Sequence, residues 1–166
     1  MKIKILTLDD WQAYKALRLE ALQKSPTNFG SSFEEEKCWP DELFQEVLNN
    51  NTIFGAFVDS KLVGCVGLNQ MTRPKTMHKA ELWGMYVDPS FCRQGIGDAL
   101  VKALLAYAHN QGIIQIYLTC VTTTTTTIVA LKLYRKNGFE VYGTEPNAIK
   151  VNGKFFDEHL MFLRIL

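Results

Sequence analysis

Hydrophobic and polar residues alternate at the start of the chain and again in its second half, and helical spacing separates these runs. Alternation predicts strands, because successive side chains of a strand point to opposite faces, whereas apolar residues three and four apart predict an amphipathic helix. The predicted strands are Lys2–Leu8, Thr52–Val58, Leu62–Asn69, Ala80–Val87, Ile113–Val121, Phe139–Tyr142 and Phe155–Leu163. The predicted helices follow Asp10, begin near Ser31, open at Pro40, and span Gly95–Asn110 and Thr127–Asn137.

The order of these elements predicts a mixed α/β (α+β) fold. We expect a mostly antiparallel central sheet of six to seven strands, flanked by about four helices. The strand-helix-strand unit from Ala80 to Val121 predicts one parallel pair, and a crevice is expected at the carboxyl ends of its strands. Neither a linker nor a repeat interrupts the sequence, so one domain is expected over residues 1–166.

Composition excludes several classes of protein. The chain has 166 residues, 47% of them hydrophobic, which is typical of a globular domain and not of a disordered one. Its 18 basic and 17 acidic residues give a net charge of +1, so no overall charge favours nucleic acid or an anionic membrane. The apolar run after Met1 is too short for a signal peptide, and no segment has the length of a membrane span.

The four cysteines do not form a metal or disulfide pattern. No Cys-x-x-Cys pair occurs, and the three histidines do not fall at zinc-ligand spacing beside the cysteines. We therefore expect no metal site, reduced thiols and a cytoplasmic location.

The segment from Val87 to Leu100 carries the most specific chemistry. It reads Val-Asp-Pro-Ser-Phe-Cys-Arg-Gln-Gly-Ile-Gly-Asp-Ala-Leu. A strand that passes through a glycine-containing turn into a helix presents unpaired N–H groups to a phosphate. Leu100 stands where a dinucleotide fingerprint has its third glycine, and the Gly-Lys-Ser/Thr of a P-loop is absent. The alternative is an ordinary tight connection between a strand and a helix.

This Val-x-Pro, basic stretch and Gly-x-Gly-x-x-Leu pattern resembles the pyrophosphate-binding segment of the GNAT superfamily, which contains acetyl-coenzyme A-dependent N-acyltransferases. The resemblance implies that the strand before the turn carries a bulge and splays away from its parallel neighbour. It implies that pantetheine contacts the main chain of Met85, Tyr86 and Val87. The turn that would hold the pyrophosphate consists of Arg93, Gln94, Gly95, Ile96, Gly97 and Asp98.

A second segment, from Ala130 to Phe139, resembles the Ala-x-x-Leu-Tyr-x-x-x-Gly-Phe of the same family. The resemblance implies that Tyr134 lies near the thioester sulfur and protonates the departing thiolate. Alternatively, Tyr134 only packs in the core. Thr127 and Lys136 are further expected coenzyme contacts. The chain departs from the family at Cys92, where Arg or Gln is usual, and at Thr127, where Asn is common.

Glu81 is the candidate general base, because some GNAT enzymes place a glutamate six residues before the end of this strand. An alkylammonium must lose its proton before it attacks a thioester, and a carboxylate can accept that proton through water. A salt bridge or an exposed strand residue is the other interpretation of Glu81. A main-chain N–H near Met85 or Tyr86 is the expected oxyanion donor.

Other polar and aromatic residues give weaker indications. The run Glu34-Glu35-Glu36 is interpreted as a solvated face, although it could attract a cationic amine. Aromatic residues that could line an acceptor pocket, but that more often belong to a core, are Phe33, Trp39 and Trp83.

The sequence thus predicts an acetyl-CoA-dependent N-acetyltransferase without a metal, acting on a small-molecule or peptide amine through direct attack in a ternary complex. A homodimer is a further expectation from the resemblance. The alternative function is a non-catalytic coenzyme A sensor or interaction module on the same fold.

Overall fold

The computed structural model of the chain describes residues 1–122 and 125–165, and of residues 125–127 it describes the backbone alone. Its seven strands are β1 (Lys2–Ile5), β2 (Thr52–Val58), β3 (Lys61–Gln70), β4 (Lys79–Val87), β5 (Gln115–Val121), β6 (Glu140–Val151) and β7 (Lys154–Arg164). Its five α-helices are α1 (Trp11–Lys24), α2 (Phe33–Glu36), α3 (Asp41–Asn50), α4 (Ile96–Asn110) and α5 (Thr125–Lys136).

The seven strands form one sheet in the order β1-β2-β3-β4-β5-β7-β6. Every neighbouring pair is antiparallel except β4 and β5, which are parallel because α4 crosses between them. The predicted fold class is therefore confirmed, including its single parallel pair.

The largest difference from prediction concerns β6, which continues to Val151 although the predicted strand stops at Tyr142. A shift of register between Glu145 and Ile149 lets the strand pass Pro146, whose nitrogen cannot join a ladder. Asn147 sits in this irregularity with a positive φ of 54°, and its N–H donates to Asp157 Oδ1 at 2.8 Å. The result is a long β6–β7 hairpin at the edge of the sheet.

The sheet has a different apolar core on each face. One core joins the sheet to α4 and α5, with Leu100, Leu104 and Met161 completely buried. The other joins it to α1 and α3 through Tyr14, Leu17 and other residues. Burial of apolar surface on both faces fixes β4 in the middle of the molecule, where the candidate site lies.

Candidate functional site

The parallel strands β4 and β5 separate after three paired positions. Lys79, Ala80 and Glu81 of β4 pair with β5, and no pairing follows although both strands continue. Beyond Glu81, β4 stays paired with β3 only, so its other edge carries free main-chain donors and acceptors. An extended, amide-bearing ligand can pair with such an edge.

A β-bulge lies on β4 in the separated region. Tyr86 pairs with Cys65 and Trp83 pairs with Gly67, so β4 holds one more residue than β3 between these rungs. Gly84 has a φ of 62° in the bulge, a conformation that L side chains rarely adopt. As a consequence Met85 packs toward α4, whereas Trp83 and Tyr86 both pack toward α1.

The connection from β4 to α4 is anchored by Asp88. Its N–H donates to Val63 O at 2.8 Å, and its carboxylate accepts from Ser90 N at 3.0 Å and from Lys61 Nζ at 3.1 Å. Burial opposes the charge of Asp88, but these hydrogen bonds lower its pKa overall. The carboxylate therefore stays ionised and fixes the direction in which the turn leaves the strand.

The turn itself presents an open, positively charged surface. Arg93 and Gly95 have positive φ values of 62° and 77°, and Arg93, Gln94 and Gly95 are all exposed. A Cβ at Gly95 would meet nothing within 4 Å, so this side of the turn is free for a ligand. The N–H groups at the start of α4 lack helical partners and lie at the positive end of the helix dipole. This arrangement suits a phosphate.

Gly97 lies where β4, α4 and α5 meet. A Cβ added there would be 3.2 Å from Met85 Cε and from Leu133 Cδ2, and 4.0 Å from Val87 Cγ2. Ile96, between the two glycines, is buried in the core beneath α4. The first turn of α4 therefore packs on one side and leaves its other side for the ligand.

Asp98 links α4 to α5. Its carboxylate accepts from Asn137 Nδ2 at 3.0 Å and pairs with Lys102 at 2.8 Å and Lys136 at 3.1 Å. These three donors hold the pKa of Asp98 well below its usual range. Two lysines thus offset its negative charge, and the ion pair keeps Lys136 near the helix start.

Tyr134 lies on α5 and is buried in the core that α4 and α5 share. Its ring packs edge-on against Phe139 at 5.8 Å between centroids. Burial, with a smaller effect of Cys120, raises the pKa of Tyr134 above its ordinary value, so its hydroxyl remains protonated. The expected contact through the Thr127 side chain lies outside the described residues.

Glu81 occupies the last paired position before the strands separate, opposite Tyr117. Partial burial raises the pKa of its carboxyl group. Since side chains two residues apart share a face of a strand, Glu81 lies on the same face of β4 as Trp83. This is the face toward α1, opposite to the one on which Tyr134 is buried.

A buried ion pair lies on this face, and the sequence analysis missed it. The Arg18 guanidinium donates from Nε to Glu36 Oε2 at 2.9 Å and from Nη2 to Glu36 Oε1 at 2.6 Å. Glu36 is 2% exposed, so interpreting it as part of a solvated face was wrong; Glu34 and Glu35 are exposed as expected. The sequence feature that indicates this ion pair is the position of Arg18, which falls on the buried face of α1 with Tyr14 and Ala21. A buried arginine needs an acidic partner.

Two spaces lie beside this ion pair. A cavity of about 150 Å³ lies between α1, α3 and β4 and is partly open to solvent, and its walls include Tyr14, Trp39 and Trp83. An open groove of about 620 Å³ runs between the α1–α2 connection and residues 148–152 of β6 and the adjoining turn. Ser31 lines both spaces.

The sequence model of the acetyltransferase (GNAT) family matches residues 14–139, about three quarters of the chain. The chain belongs to the acetyltransferase (GNAT) family. The predicted family is therefore confirmed.

Relatives of this GNAT protein include named acetyltransferases. It is 27% identical to the L-amino acid N-acetyltransferase AaaT of Escherichia coli over 64% of each chain. It is 30% identical to the N-alpha-acetyltransferase RimI of Mycobacterium tuberculosis over 73% of each chain. The chain spans 64% of the length of AaaT, and only 34% and 37% of two other curated relatives that it matches.

The fold of the GNAT chain also matches solved structures. Structure yncA of Salmonella typhimurium, determined with acetyl-CoA, has a TM-score of 0.84 over 99% of this chain and 93% of its own, with 15% sequence identity. This likeness shows the shared fold.

The part of the chain that the structure describes contains neither a membrane-spanning helix nor a cluster of metal-ligating side chains. Within it, no helix is both long and apolar enough to cross a membrane. No group of three metal-ligating side chains occurs among residues 1–122 and 125–165 either.

Proposed function

We propose that this GNAT protein transfers an acetyl group from acetyl-CoA to a primary amine by direct attack in a ternary complex. Family membership supports acetyl transfer. The observation that carries the proposal is the separation of β4 from β5 after Glu81, directly before the glycine-containing start of α4. A free strand edge followed by an open helix N-terminus suits an extended ligand that ends in phosphates.

The residues present fit acetyl-CoA. The free edge of β4 at Met85, Tyr86 and Val87 offers main-chain groups to the amides of the pantetheine arm. Gly95 leaves space for phosphate oxygens at the start of α4, and Arg93 adds a positive charge at the same turn. Acetyl-CoA supplies an activated acyl group as its thioester.

Three groups of the chain would handle protons and charge in this reaction. Glu81 accepts a proton from the incoming ammonium, directly or through water, and its raised pKa favours that role near neutral pH. A main-chain N–H at Met85 or Tyr86 donates to the thioester oxygen. The protonated hydroxyl of Tyr134 donates to the sulfur as the thiolate leaves. Binding both reactants in one site supplies a large part of the acceleration.

We also propose that the protein acts in the cytoplasm and forms a homodimer through the β6–β7 hairpin. β6 is an edge strand, and Tyr142 and Phe155 of the hairpin are exposed by 61% and 58%. Large exposed apolar side chains on a free edge are typical of an interface. Light scattering after size exclusion should give twice the 18.9 kDa of the chain, and a monomer would contradict the dimer.

Two measurements test the proposed activity. In a thermal shift experiment, acetyl-CoA should stabilise the fold far more than ATP or NAD at equal concentration. In a thiol-release assay, acetyl-CoA should be consumed with at least one member of a panel of primary amines. Stabilisation without turnover on any amine would favour the sensor function, and neither response would refute the proposal.

A further inference from the structure

The cavity between α1 and β4, which we call the α1–β4 cavity, has a distinctive hydrogen-bonding character. Its lining combines aromatic side chains with the buried ion pair, the indole N–H groups of Trp39 and Trp83, and the hydroxyl groups of Tyr14 and Ser31. Six of its lining residues carry the argument: Tyr14, Arg18, Glu36, Trp39, Phe44 and Trp83. Its volume of about 150 Å³ is several times the roughly 30 Å³ that a water molecule occupies in the liquid, so it admits part of a small ligand.

The carboxylate of the α1–β4 cavity is already paired with a guanidinium. Both carboxylate oxygens of Glu36 accept hydrogen bonds from Arg18, at 2.9 and 2.6 Å. Burial raises the pKa of Tyr14 above its ordinary value, so this wall contributes a neutral phenol and not a negative charge. The negative charge of Glu36 is therefore already offset by Arg18, which disfavours the distal ammonium of a polyamine in the cavity.

Donors of the same cavity are not all in use. The Nε1–H of Trp83 is buried and has no hydrogen-bond partner among the described residues. Arg18 donates to Glu36 from Nε and Nη2 alone within the described chain, which leaves its Nη1. Nη1 lies toward the bulge, 3.9 Å from the position that a Cβ on Gly84 would take. A buried donor without a partner costs free energy, and a ligand oxygen would remove that cost.

The indole is held in this position by the opposite strand. A Cβ on Gly67 would lie 2.5 Å from a ring carbon of Trp83, so only glycine there lets the indole lie over β3. The Trp83 donor is thus packed closely against β3. A preformed donor of this kind can discriminate between ligands.

From this imbalance we propose that the α1–β4 cavity binds a carbonyl-type oxygen of the acceptor, next to its reacting amine, through Trp83 Nε1 and Arg18 Nη1. The proposal rests on the proposed acetyl transfer. It makes the acceptor an α-amino acid unit. The oxygen belongs either to the carboxylate of a free amino acid or to the first carbonyl of a peptide N-terminus.

The position of Glu81 agrees with this acceptor. Residues two apart on one strand are about 7 Å apart, so Glu81 and Trp83 bracket a space that suits an amine and a neighbouring carboxyl group. The amine would face Glu81 and the gap between β4 and β5. The oxygen would face the indole and the guanidinium.

Indole N–H resonances give a direct test, because the chain has three tryptophans, Trp11, Trp39 and Trp83. The protein would be labelled with ¹⁵N, saturated with coenzyme A, and its Trp83 signal assigned by the W83F variant. Ligands would be matched sets built on alanine, leucine and phenylalanine: the free acid, the amide, and the amine that lacks the carboxyl group. Spermidine would serve as a polyamine.

We expect the Trp83 indole signal to move downfield with the acids or the amides, and to stay in place with the amines and with spermidine. A larger shift with the free acids would identify free amino acids, and an equal shift with the amides would identify peptide N-termini. The proposal would be overturned if the Trp83 signal did not move at acid and amide concentrations that saturate the protein. It would also be overturned if the amines gave an equal shift.

Kinetics provides a second test. In W83F, the ratio of kcat/KM for leucine to kcat/KM for isoamylamine should fall about tenfold, because one hydrogen bond to the oxygen is lost. The matched control is W11F, which removes an indole outside the cavity and should keep the ratio. R18K should also lower the ratio of kcat/KM for leucine to kcat/KM for isoamylamine. An unchanged ratio in both W83F and R18K would refute the cavity's role.

The two proposals fail in different ways. The NMR readout needs only binding, so it remains informative if no acetyl transfer is found. Turnover of spermidine or isoamylamine at the rate of leucine would leave the acetyltransferase activity intact and overturn only the acceptor assignment.

Discussion

The two faces of the central sheet bury different types of residue. On the α4–α5 face, the buried residues are mostly apolar, with the Tyr134 hydroxyl among them, and the ligand surface is main chain and glycine. On the α1–α3 face, a buried ion pair and an indole without a partner lie beside a cavity. The proposed cosubstrate binds at the free edge of β4 and on the α4–α5 face. The proposed acceptor binds on the α1–α3 face.

This difference indicates a division of labour. A main-chain cradle depends on backbone conformation and tolerates many side chains, so it suits a ligand whose shape is constant. A side-chain cavity depends on which donors are left open, so it suits selection among acceptors. Four predictions test this division, in order of decreasing expected effect.

The buried ion pair should be essential for stability. Glu36→Leu leaves the Arg18 guanidinium buried without its partner, and we expect a loss of about 3–5 kcal/mol in the free energy of unfolding, measured by urea denaturation. The matched control is Glu35→Gln, an exposed neighbour that should change stability by less than about 0.5 kcal/mol. The double variant Arg18→Met/Glu36→Leu should recover much of the loss; equal stabilities of E36L and E35Q would contradict this account.

Glu81→Gln should lower kcat about a hundredfold, because the variant keeps the size of the side chain and cannot accept a proton. In the native protein, burial raises the pKa of Glu81, and the base form is present only above that pKa. The pH profile of kcat should therefore fall on the acid side, and this fall should vanish in the variant. Glu140→Gln, at an exposed position of β6, is the control. If kcat of E81Q still fell at acid pH as in the native protein, a group other than Glu81 would be the general base.

Gly95→Ala should weaken coenzyme A binding about tenfold, measured by titration calorimetry, because a Cβ enters the phosphate side of the turn. Gly112, just after α4, provides the control, since its φ of 71° matches the 77° of Gly95 and both lie in open space. Alanine at either position should cost about 1–2 kcal/mol of stability through the left-handed conformation. If G112A weakened binding as much as G95A, strain and not the cradle would be the cause.

Lys61→Met should cost less than about 1 kcal/mol in thermal unfolding, the smallest of the four effects. The Lys61 side chain is 62% exposed, so solvent screens its pairing with Asp88. Asp88 also keeps its hydrogen bond from Ser90 N. A loss as large as that of E36L would remove the contrast between the two ion pairs.

Much of the fold could be predicted from local patterns. The bounds of β2, Thr52–Val58, agree with the prediction, and α4 begins one residue later than predicted. These elements have clear periodicity and clear turns at their ends. The continuation of β6 beyond Tyr142 could not be predicted in this way, because Pro146 normally ends a strand and only the irregular pairing with β7 accommodates it.

In the candidate site, too, the parts formed by one contiguous segment could be predicted, and the parts formed by separate elements could not. The turn from Arg93 to Asp98 is contiguous in the sequence, so its chemistry was accessible to sequence reasoning. The α1–β4 cavity draws Arg18, Glu36 and Trp83 from three separate elements, and no local pattern shows that they meet. Glu36 illustrates the difficulty, since its two exposed neighbours made the whole run resemble a surface.

The bulge at Gly84 changes which face of the sheet the following side chains of β4 occupy. If the same residues alternated regularly without a bulge, Met85 and Val87 would face α1 with Trp83, and Tyr86 would face α4. The two residues between Trp83 and Tyr86, where β3 has one, therefore keep Tyr86 on the same face as Trp83 and return Val87 to the α4 face.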